Sequence, residues 1–446
     1  MINWRKPTIQ AALWMTGNDA LNNLREIKRL SQSSPEEVRS YQRSKLADIL
    51  EHAYQTVSYY AKVLEDSEAI VGGEAHPENI TEVPILTKSN LREENERLRS
   101  TEPGPEPYTN TSGGTTGEPV EFVQDRDYWE WNVATKLFYQ EMAGKPLGGR
   151  EVKLWGSEDD IQKGRESLKT RAKNYLYNRK LLNSFKMGEE DMREYVDTIN
   201  SFQPHTIWAY VESIYQLAQF IDERDIDVHS PDGIVTTAGT LHKPVRETIQ
   251  DVFNAAVYNQ YGSREIGDVA CECTEQEGLH LFPYSHYFEI VDEDGTPVDP
   301  GEEGFVVVTS LTNYSMPLIR YKIGDMAVQK GESCGCDLPF PLIEAVTGRV
   351  SDHFVTADDE LIHGEYFTHL FYNAAWVEQF QVRQVAVDEI IVTVVPVDKS
   401  CSPEWEPITD GIESVMGPEA TVETRQQDEI EPSSSGKYRF VISDVH

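Results

Sequence analysis

Between residues 187 and 261 the chain alternates two hydrophobic periods, and that alternation leaves few folds open. Met192, Tyr195, Val196 and Ile199 recur at helical spacing until Pro204, and Val211, Ile214, Tyr215, Ala218 and Ile221 recur in the same way. A short apolar run over 233–237 reads as a strand, a helix follows Pro244, and a second short strand ends at Tyr261. Helices interleaved with short apolar strands cover both faces of a sheet, so the predicted class is α/β. The flanks differ. In the first hundred residues Ser34-Pro35-Glu36-Glu37 supplies an N-cap, a first-turn proline and a capping-box glutamate, ahead of a helical stripe of Leu46, Ile49, Leu50 and Ala53. Residues 84–90 read as a connector. Over 279–321 the texture is β, with strands predicted at 287–292 and 305–310 and a turn at 293–295.

After Gly348 the pattern starts afresh. A helix near 365–375, strands near 379–387 and 390–397, a helix near 405–416 and a last strand over 438–443 predict a compact α+β unit of about a hundred residues. The expected division is therefore 1–348 and 349–446, a large layered domain and a small one, with no internal repeat.

The 446 residues include 76 acidic and 40 basic side chains, a net charge of −36, yet 39% are apolar and 10% aromatic, more than a disordered acidic chain carries. A phosphate backbone or an anionic membrane surface would be repelled, which excludes nucleic acid and membrane as expected partners. The acidity is spread from end to end, the pattern of a solvated surface suited to high salt, so a halophilic protein is expected. No apolar run approaches the roughly 18–20 residues of a membrane span, and the first twenty residues lack a cleavage-like site, so a cytoplasmic protein is expected.

Five segments carry chemistry. The first, Thr111-Ser112-Gly113-Gly114-Thr115-Thr116-Gly117-Glu118-Pro119, combines three glycines with hydroxyl donors; its N–H groups can converge on a phosphate, although it is no Walker A loop because Glu118 stands where lysine would. In the second, YNQYGSREIG over 258–267, a strand enters a turn bearing Tyr261, Gly262, Ser263 and Glu265; the ring can stack on a base and the carboxylate can hold a hard cation. The third, IRYKIGD over 319–325, places Asp325 at the end of a strand, where a carboxylate can take both ribose hydroxyls. The fourth is Gly348-Arg349-Val350-Ser351-Asp352 at the boundary, and the fifth is SSSGKYRF over 433–440, with Lys437 in a small-residue loop. The aromatic stretch Tyr128, Trp129, Trp131, Phe138 and Tyr139 is read as packing in preference to an acyl-pocket wall.

In this order and spacing the five segments resemble the adenylate-forming enzymes that activate carboxylic acids. Within them the chain is similar to the phenylacetate–CoA ligase-like branch, including the CapK-like capsular-polysaccharide-biosynthesis proteins; VSYYAKVLED over 57–66 and EVPILTKSNL over 82–91 carry that closer likeness. The resemblance implies that Ser112, Gly113, Gly114, Thr115, Thr116 and Gly117 grip the ATP phosphates. It further implies that Ala238, Gly239 and Thr240 line the adenine, that Tyr261 stacks near it beside Gly262 and Ser263, and that Glu265 holds Mg²⁺. Asp325 is implied in ribose binding with Arg349 beside it, and Lys437 in delivering a positive charge from a mobile C-terminal domain during adenylation. An acid, ATP and CoA are the implied small molecules, acyl-AMP the intermediate, and a homodimer is one assembly left open. Two positions depart from the pattern: Glu118 replaces a common lysine, and Ser351 replaces the first of two frequent hinge acids. They leave room for rivals: an acceptor other than CoA (an amine, a polysaccharide precursor, a carrier protein), a deazaflavin cofactor in place of the acid, or a nucleotide-binding protein without catalysis.

Five cysteines are too few for a disulfide scaffold in so long a chain. Cys271-Glu272-Cys273, His280 and Cys334-Gly335-Cys336 instead suit tetrahedral Zn²⁺, and buried free thiols are the plainer reading of the same residues. Likeness to relatives with cysteines here implies Cys273, His280, Cys334 and Cys336 as the ligands, with Cys401 a bystander and His205 and His286 in packing roles.

The charge generates a first prediction. At 0.01 M salt the Debye length grows to roughly 30 Å, so the 36 excess negative charges repel one another across the whole surface. The melting temperature should climb steeply as KCl is raised from dilute buffer to molar concentration; a flat profile would contradict the halophilic reading.

Overall fold

Ser34 caps its helix as the sequence predicts: its side chain accepts the Glu37 N–H and Glu37 accepts the Ser34 N–H, opening a helix over Pro35–Thr56. The computed structural model describes the chain apart from residues 1–2, 112–119, 156–167, 185–186, 332–333, 350–353, 358–360, 363, 372–373, 375, 398–402, 418, 431–439 and 446. Ser112 to Gly117, Glu118, Ser351, Cys401 and Lys437 therefore lie outside the described residues. Two compact units form: Met1–Ile323 with Ala327–Thr347, and Gly324–Met326 with Gly348–His446.

In the first unit, helices α1 (Arg5–Met15), α2 (Ala20–Leu30) and α3 (Pro35–Thr56) precede a hairpin of β1 (Tyr108–Thr111) and β2 (Glu121–Gln124). Helix α4 (Arg126–Met142) leads to β3 (Glu151–Trp155) and β4 (Arg179–Asn183). Then α5 (Glu189–Phe202), β5 (Thr206–Tyr210), α6 (Val211–Glu223), β6 (Gly233–Thr237), α7 (Lys243–Phe253) and β7 (Val257–Ser263) alternate. The chain turns antiparallel through β8 (Gly267–Glu272), β9 (Leu279–Leu281), β10 (His286–Val291), β11 (Glu303–Ser310), β12 (Tyr321–Gln329) and β13 (Leu342–Arg349). These strands make one eleven-stranded sheet in the order β10-β11-β12-β13-β9-β8-β7-β6-β5-β3-β4. Its segment β4-β3-β5-β6-β7 is parallel throughout, so β3 and β5 are the neighbours at which strand order reverses.

Alternation divides that parallel segment into two faces. Val152, Leu154, Ile207, Ala209, Ile234 and Val257 bury against α5, α6 and α7. Trp208, Val235 and Tyr258 point the other way, into a cluster with Phe138 and Tyr139 of α4. Four of the five aromatic residues read as packing do pack: Tyr128, Phe138 and Tyr139 are buried, Trp131 stacks on Tyr284 with ring centroids 5.9 Å apart, and Tyr139 stacks on Phe282, whereas Trp129 is exposed.

Two sequence expectations change. The 84–90 connector contains a helix start, because Thr87 and Asn90 form a capping box that opens a short helix over Lys88–Glu93. Asp325 stands in the middle of β12 rather than at a strand end. Gly324 takes φ +95°, and past it Asp325, Met326 and Ala327 are buried in succession, so the strand continues beyond an irregular residue instead of stopping there.

The second unit carries a four-stranded sheet. Strands β14 (Val377–Ala386) and β15 (Glu389–Pro396) form a hairpin, flanked in parallel by β16 (Thr421–Gln426) beside β15 and β17 (Val441–Ser443) beside β14. Val382, Ile390, Val392 and Val394 meet Ile408, Ile412 and Met416 of the helix Glu406–Met416. Among the described residues no helix is long and apolar enough to cross a membrane.

One buried carboxylate ties distant parts of the first unit together. Asp125, with 0% exposure, accepts the N–H of Tyr128 at 2.9 Å to cap α4, and the N–H groups of Tyr314 and Ser315 at 3.0 Å each. Asp125→Ala should strand these donors; at about 1–3 kcal/mol per buried orphan, a loss of about 3 kcal/mol is expected in urea unfolding. A loss under about 1 kcal/mol would show that the three donors do not depend on it.

Candidate functional site

Ligands of open α/β sheets lodge outside the carboxyl ends of parallel strands, and the segments around Ala238 and Glu265 follow two such ends. After β6, Ala238 adopts φ +66°, a left-handed conformation that a side chain disfavours and that marks functional turns. A Cβ on Gly239 would stand 2.2 Å from Oε1 of Glu212, in the first turn of α6, so only glycine lets that carboxylate approach. Thr240 follows, its carbonyl accepting the His242 N–H. Nothing in the local sequence around Glu212 pointed to this contact.

After β7 the chain reverses through Arg264, Glu265 and Ile266 into β8. Gly262 is required by close approach: its Cβ would lie 2.4 Å from the Gly267 carbonyl oxygen. Tyr261 is half-buried and Glu265 is buried at the turn. Ser263 ends β7.

The turn is anchored to the β1–β2 hairpin, which encloses residues 112–119 in sequence. Gln124 donates through Nε2 to the carbonyls of Arg264 at 2.8 Å and Glu265 at 3.3 Å, while Arg264 reaches the Thr111 carbonyl at 3.5 Å. The hairpin is thereby held, at Thr111 and Gln124, beside the turn that presents Glu265. Asn132 of α4 adds a brace, accepting the Asp268 N–H at 3.1 Å in a space that a Cβ on Gly267 would fill. Gln124 and Asn132 escaped sequence reading because their partners are more than a hundred residues away. Asp325 is buried in β12 and Arg349 ends β13.

Further along β8 the fold assembles a second constellation. One donor atom each from Cys273, His280, Cys334 and Cys336 lies within 4.8 Å of all the others. Cys273 Sγ stands 3.4 Å from Cys334 Sγ, and Cys336 Sγ 3.2 Å from His280 Nε2. Zinc–sulfur bonds of about 2.3 Å at tetrahedral angles would set such donors about 3.8 Å apart, so the set is close to ligating geometry. The Phe340 carbonyl lies 3.2 Å from His280 Nδ1 and can only accept, which places the proton on Nδ1 and turns the Nε2 lone pair toward the thiols. Burial pushes the Cys273 thiol up to about 12 and the Cys336 thiol upward as well, and a bound cation is the kind of charge that would favour their thiolates. A cleft of about 490 Å³ bordered by Arg39, Gln42, His280, Cys334, Cys336 and Phe340 gives access to it. Cys271 stays apart, packed in the core with Phe282 and Tyr284.

The family pattern of the CapK C-terminal domain matches residues 354–444. Protein CapK of Staphylococcus aureus is 24% identical over 326 residues, covering 73% of this chain and 70% of its own. A phenylacetate-coenzyme A ligase of Pseudomonas putida is 26% identical over 344 residues, covering 73% and 74%. The chain is a homologue of CapK and the phenylacetate–CoA ligases. Its fold is that of the adenylate-forming CoA ligases: a 2-hydroxyisobutyryl-CoA ligase crystallised with 2-HIB-AMP in the postadenylation state superposes with a TM-score of 0.71 at 17% identity, covering 94% of this chain and 91% of that one. The CapK-like unit is thus the small C-terminal one, and the strand-end turns that carry Ala238 and Glu265 lie in the large one.

The thiol–imidazole cluster of this CapK-like protein predicts one tightly held zinc per chain. Metal analysis of protein never exposed to chelator should return close to one equivalent, and Cys336→Ser should lower both that figure and the melting temperature. Less than about one-tenth of an equivalent would leave a cluster of free thiols.

Proposed function

We propose that the protein is an AMP-forming acid–CoA ligase. A carboxylate oxygen attacks the α-phosphorus of ATP, pyrophosphate leaves, and acyl-AMP results; the CoA thiol, losing its proton, then attacks the acyl carbon and expels AMP. The observation that carries this reading is the anchoring of the Glu265 turn to both ends of the glycine-rich hairpin through Gln124 and Arg264. Adenylation brings a carboxylate against a polyanion, so the site needs convergent donors and positive charge where the new bond forms.

In this reading Ser112, Gly113, Gly114, Thr115, Thr116 and Gly117 hold the phosphates by backbone N–H and hydroxyl groups. Ala238, Gly239 and Thr240 line the adenine, which Tyr261 covers beside Gly262 and Ser263. Glu265 would hold Mg²⁺, whose charge neutralises the phosphate oxygens. Asp325 takes the ribose with Arg349 near it. Residues 349–446 act as the mobile domain that brings Lys437 to the acid and α-phosphate, and Cys273, His280, Cys334 and Cys336 hold a structural zinc away from the reacting atoms. The substrate class is an aryl or arylacetic acid, consistent with the phenylacetate-activating relatives. A second reading keeps adenylation but transfers the acyl group to an acceptor other than CoA; the CapK match of the C-terminal unit favours it.

Lys437→Ala should reduce acid-dependent pyrophosphate release by orders of magnitude and leave CoA capture from preformed acyl-AMP largely intact, each tenfold loss being about 1.4 kcal/mol of transition-state stabilisation. Equal loss in both half-reactions would contradict the role assigned to Lys437. Omitting CoA separates the two readings, since the first alone predicts a CoA thioester.

A further inference from the structure

Strand order reverses between β3 and β5, the place where open α/β sheets hold their ligands, and the two strands carry an unusual group there. Lys153 and Trp155 of β3 lie on the face opposite Val152 and Leu154, and Lys153 is in register with Trp208 of β5. The Lys153 ammonium sits 4.0 Å from the ring centroids of both Trp155 and Trp208. Among the described residues no carboxylate pairs with it. The neighbouring carboxylates are already matched: Glu151 lies between Lys145 and Arg179, the latter at 2.5 Å, and Asp268 accepts the Tyr139 hydroxyl at 3.2 Å and faces Lys136 at 3.7 Å. Four cations thus share two carboxylates inside a protein whose net charge is −36. Burial, reinforced by Arg179, pushes the Lys153 ammonium down to about 7, although the residue keeps intermediate exposure. The two indole faces return only part of what the ammonium loses on leaving water.

A second unmatched donor adjoins the first. The indole Nε1 of Trp208, a residue 5% exposed, has no acceptor among the described residues. Both unmatched groups are donors, so whatever completes the site must bring acceptor oxygens and negative charge. Trp155 and Tyr210, with ring centroids 4.3 Å apart, stand nearer the strand ends, and Lys153 lies two residues, about 7 Å, deeper. The carboxyl ends of β3 and β5 belong to the same parallel segment as those of β6 and β7, which present Ala238 and Glu265.

We infer that Lys153, on its indole shelf, and the Trp208 N–H receive a second anionic group at the far end of the acid, so that the substrates are dianionic acids, a dicarboxylate being the simplest. This rests on the acid-activating reading and narrows its substrate class. A monoacid would leave the ammonium without a carboxylate and the indole donor without an acceptor among the described residues, whereas a distal carboxylate offers oxygens to both, and sites built to pair a polar group reject analogues that lack it.

The test uses two matched pairs, phenylacetate with 4-carboxyphenylacetate and butyrate with glutarate, on the full-length chain and on Lys153→Met. Two readouts are taken: acid-dependent ATP–pyrophosphate exchange, and calorimetric binding of each acid without ATP. The wild type should favour a dicarboxylate over its partner by at least about tenfold in kcat/KM, and Lys153→Met should abolish that preference mainly through KM. Lys153→Arg, which keeps the charge, should retain a preference and serves where the methionine variant folds poorly. Equal use of both members of each pair, or equal loss with both in Lys153→Met, overturns the inference. Dicarboxylate binding that depends on Lys153, without exchange for any acid, would sustain the anion site and overturn the ligase reading; exchange with monoacids alone would do the reverse.

Discussion

Two consecutive buried residues, Gln124 and Asp125, hold together the parts of the large unit on which the site depends. Gln124 reaches the carbonyls of Arg264 and Glu265, and Asp125 gathers the N–H groups of Tyr128, Tyr314 and Ser315. Strand β2, helix α4, the turn after β7 and the 313–315 segment are therefore fixed to one another by side chain-to-backbone bonds, not by a continuous sheet. Such bonds are strong when buried and costly to leave half-made, so the geometry around Glu265 inherits their rigidity.

The parallel strands distribute labour by face. Val152, Leu154, Ile207 and Ala209 supply an apolar wall for the crossover helices, while Lys153, Trp155, Trp208 and Tyr210 occupy the alternate positions. On the second face the polar members are the interesting ones, because a sheet buried on both sides has no structural need for a lysine. The acidic exterior and this basic interior answer different demands: the first concerns the solvent, the second an anion that must leave it.

Much of the architecture was legible because it follows local period. The stripes of α5 and α6, the strands β6, β10 and β11, the Ser34 capping box and the elements after Gly348 are patterns within a few residues of one another. Likeness to relatives with cysteines at these positions implied Cys273, His280, Cys334 and Cys336 as a set, and the structure brings those four together. What escaped was non-local or conformational. IRYKIGD reads as a strand ending at Asp325, but the glycine's positive φ is absorbed within β12. Thr87 was read as connector although it caps a helix. Gln124, Asn132 and Glu212 gain meaning only from partners across the sheet, and Lys153 is one lysine among 18 until two tryptophans are seen to enclose it.

In the proposed reaction an acid is activated by direct bonding of its carboxylate to the α-phosphorus of ATP. Carboxyl-¹⁸O acid, supplied with ATP, Mg²⁺ and CoA, tests it directly. Thiol attack on the acyl carbon breaks the acyl carbon–oxygen bond, so one labelled oxygen should leave in AMP and be seen as a 2 Da gain in its mass. AMP without label, or label in inorganic phosphate with ADP as the co-product, would contradict the account.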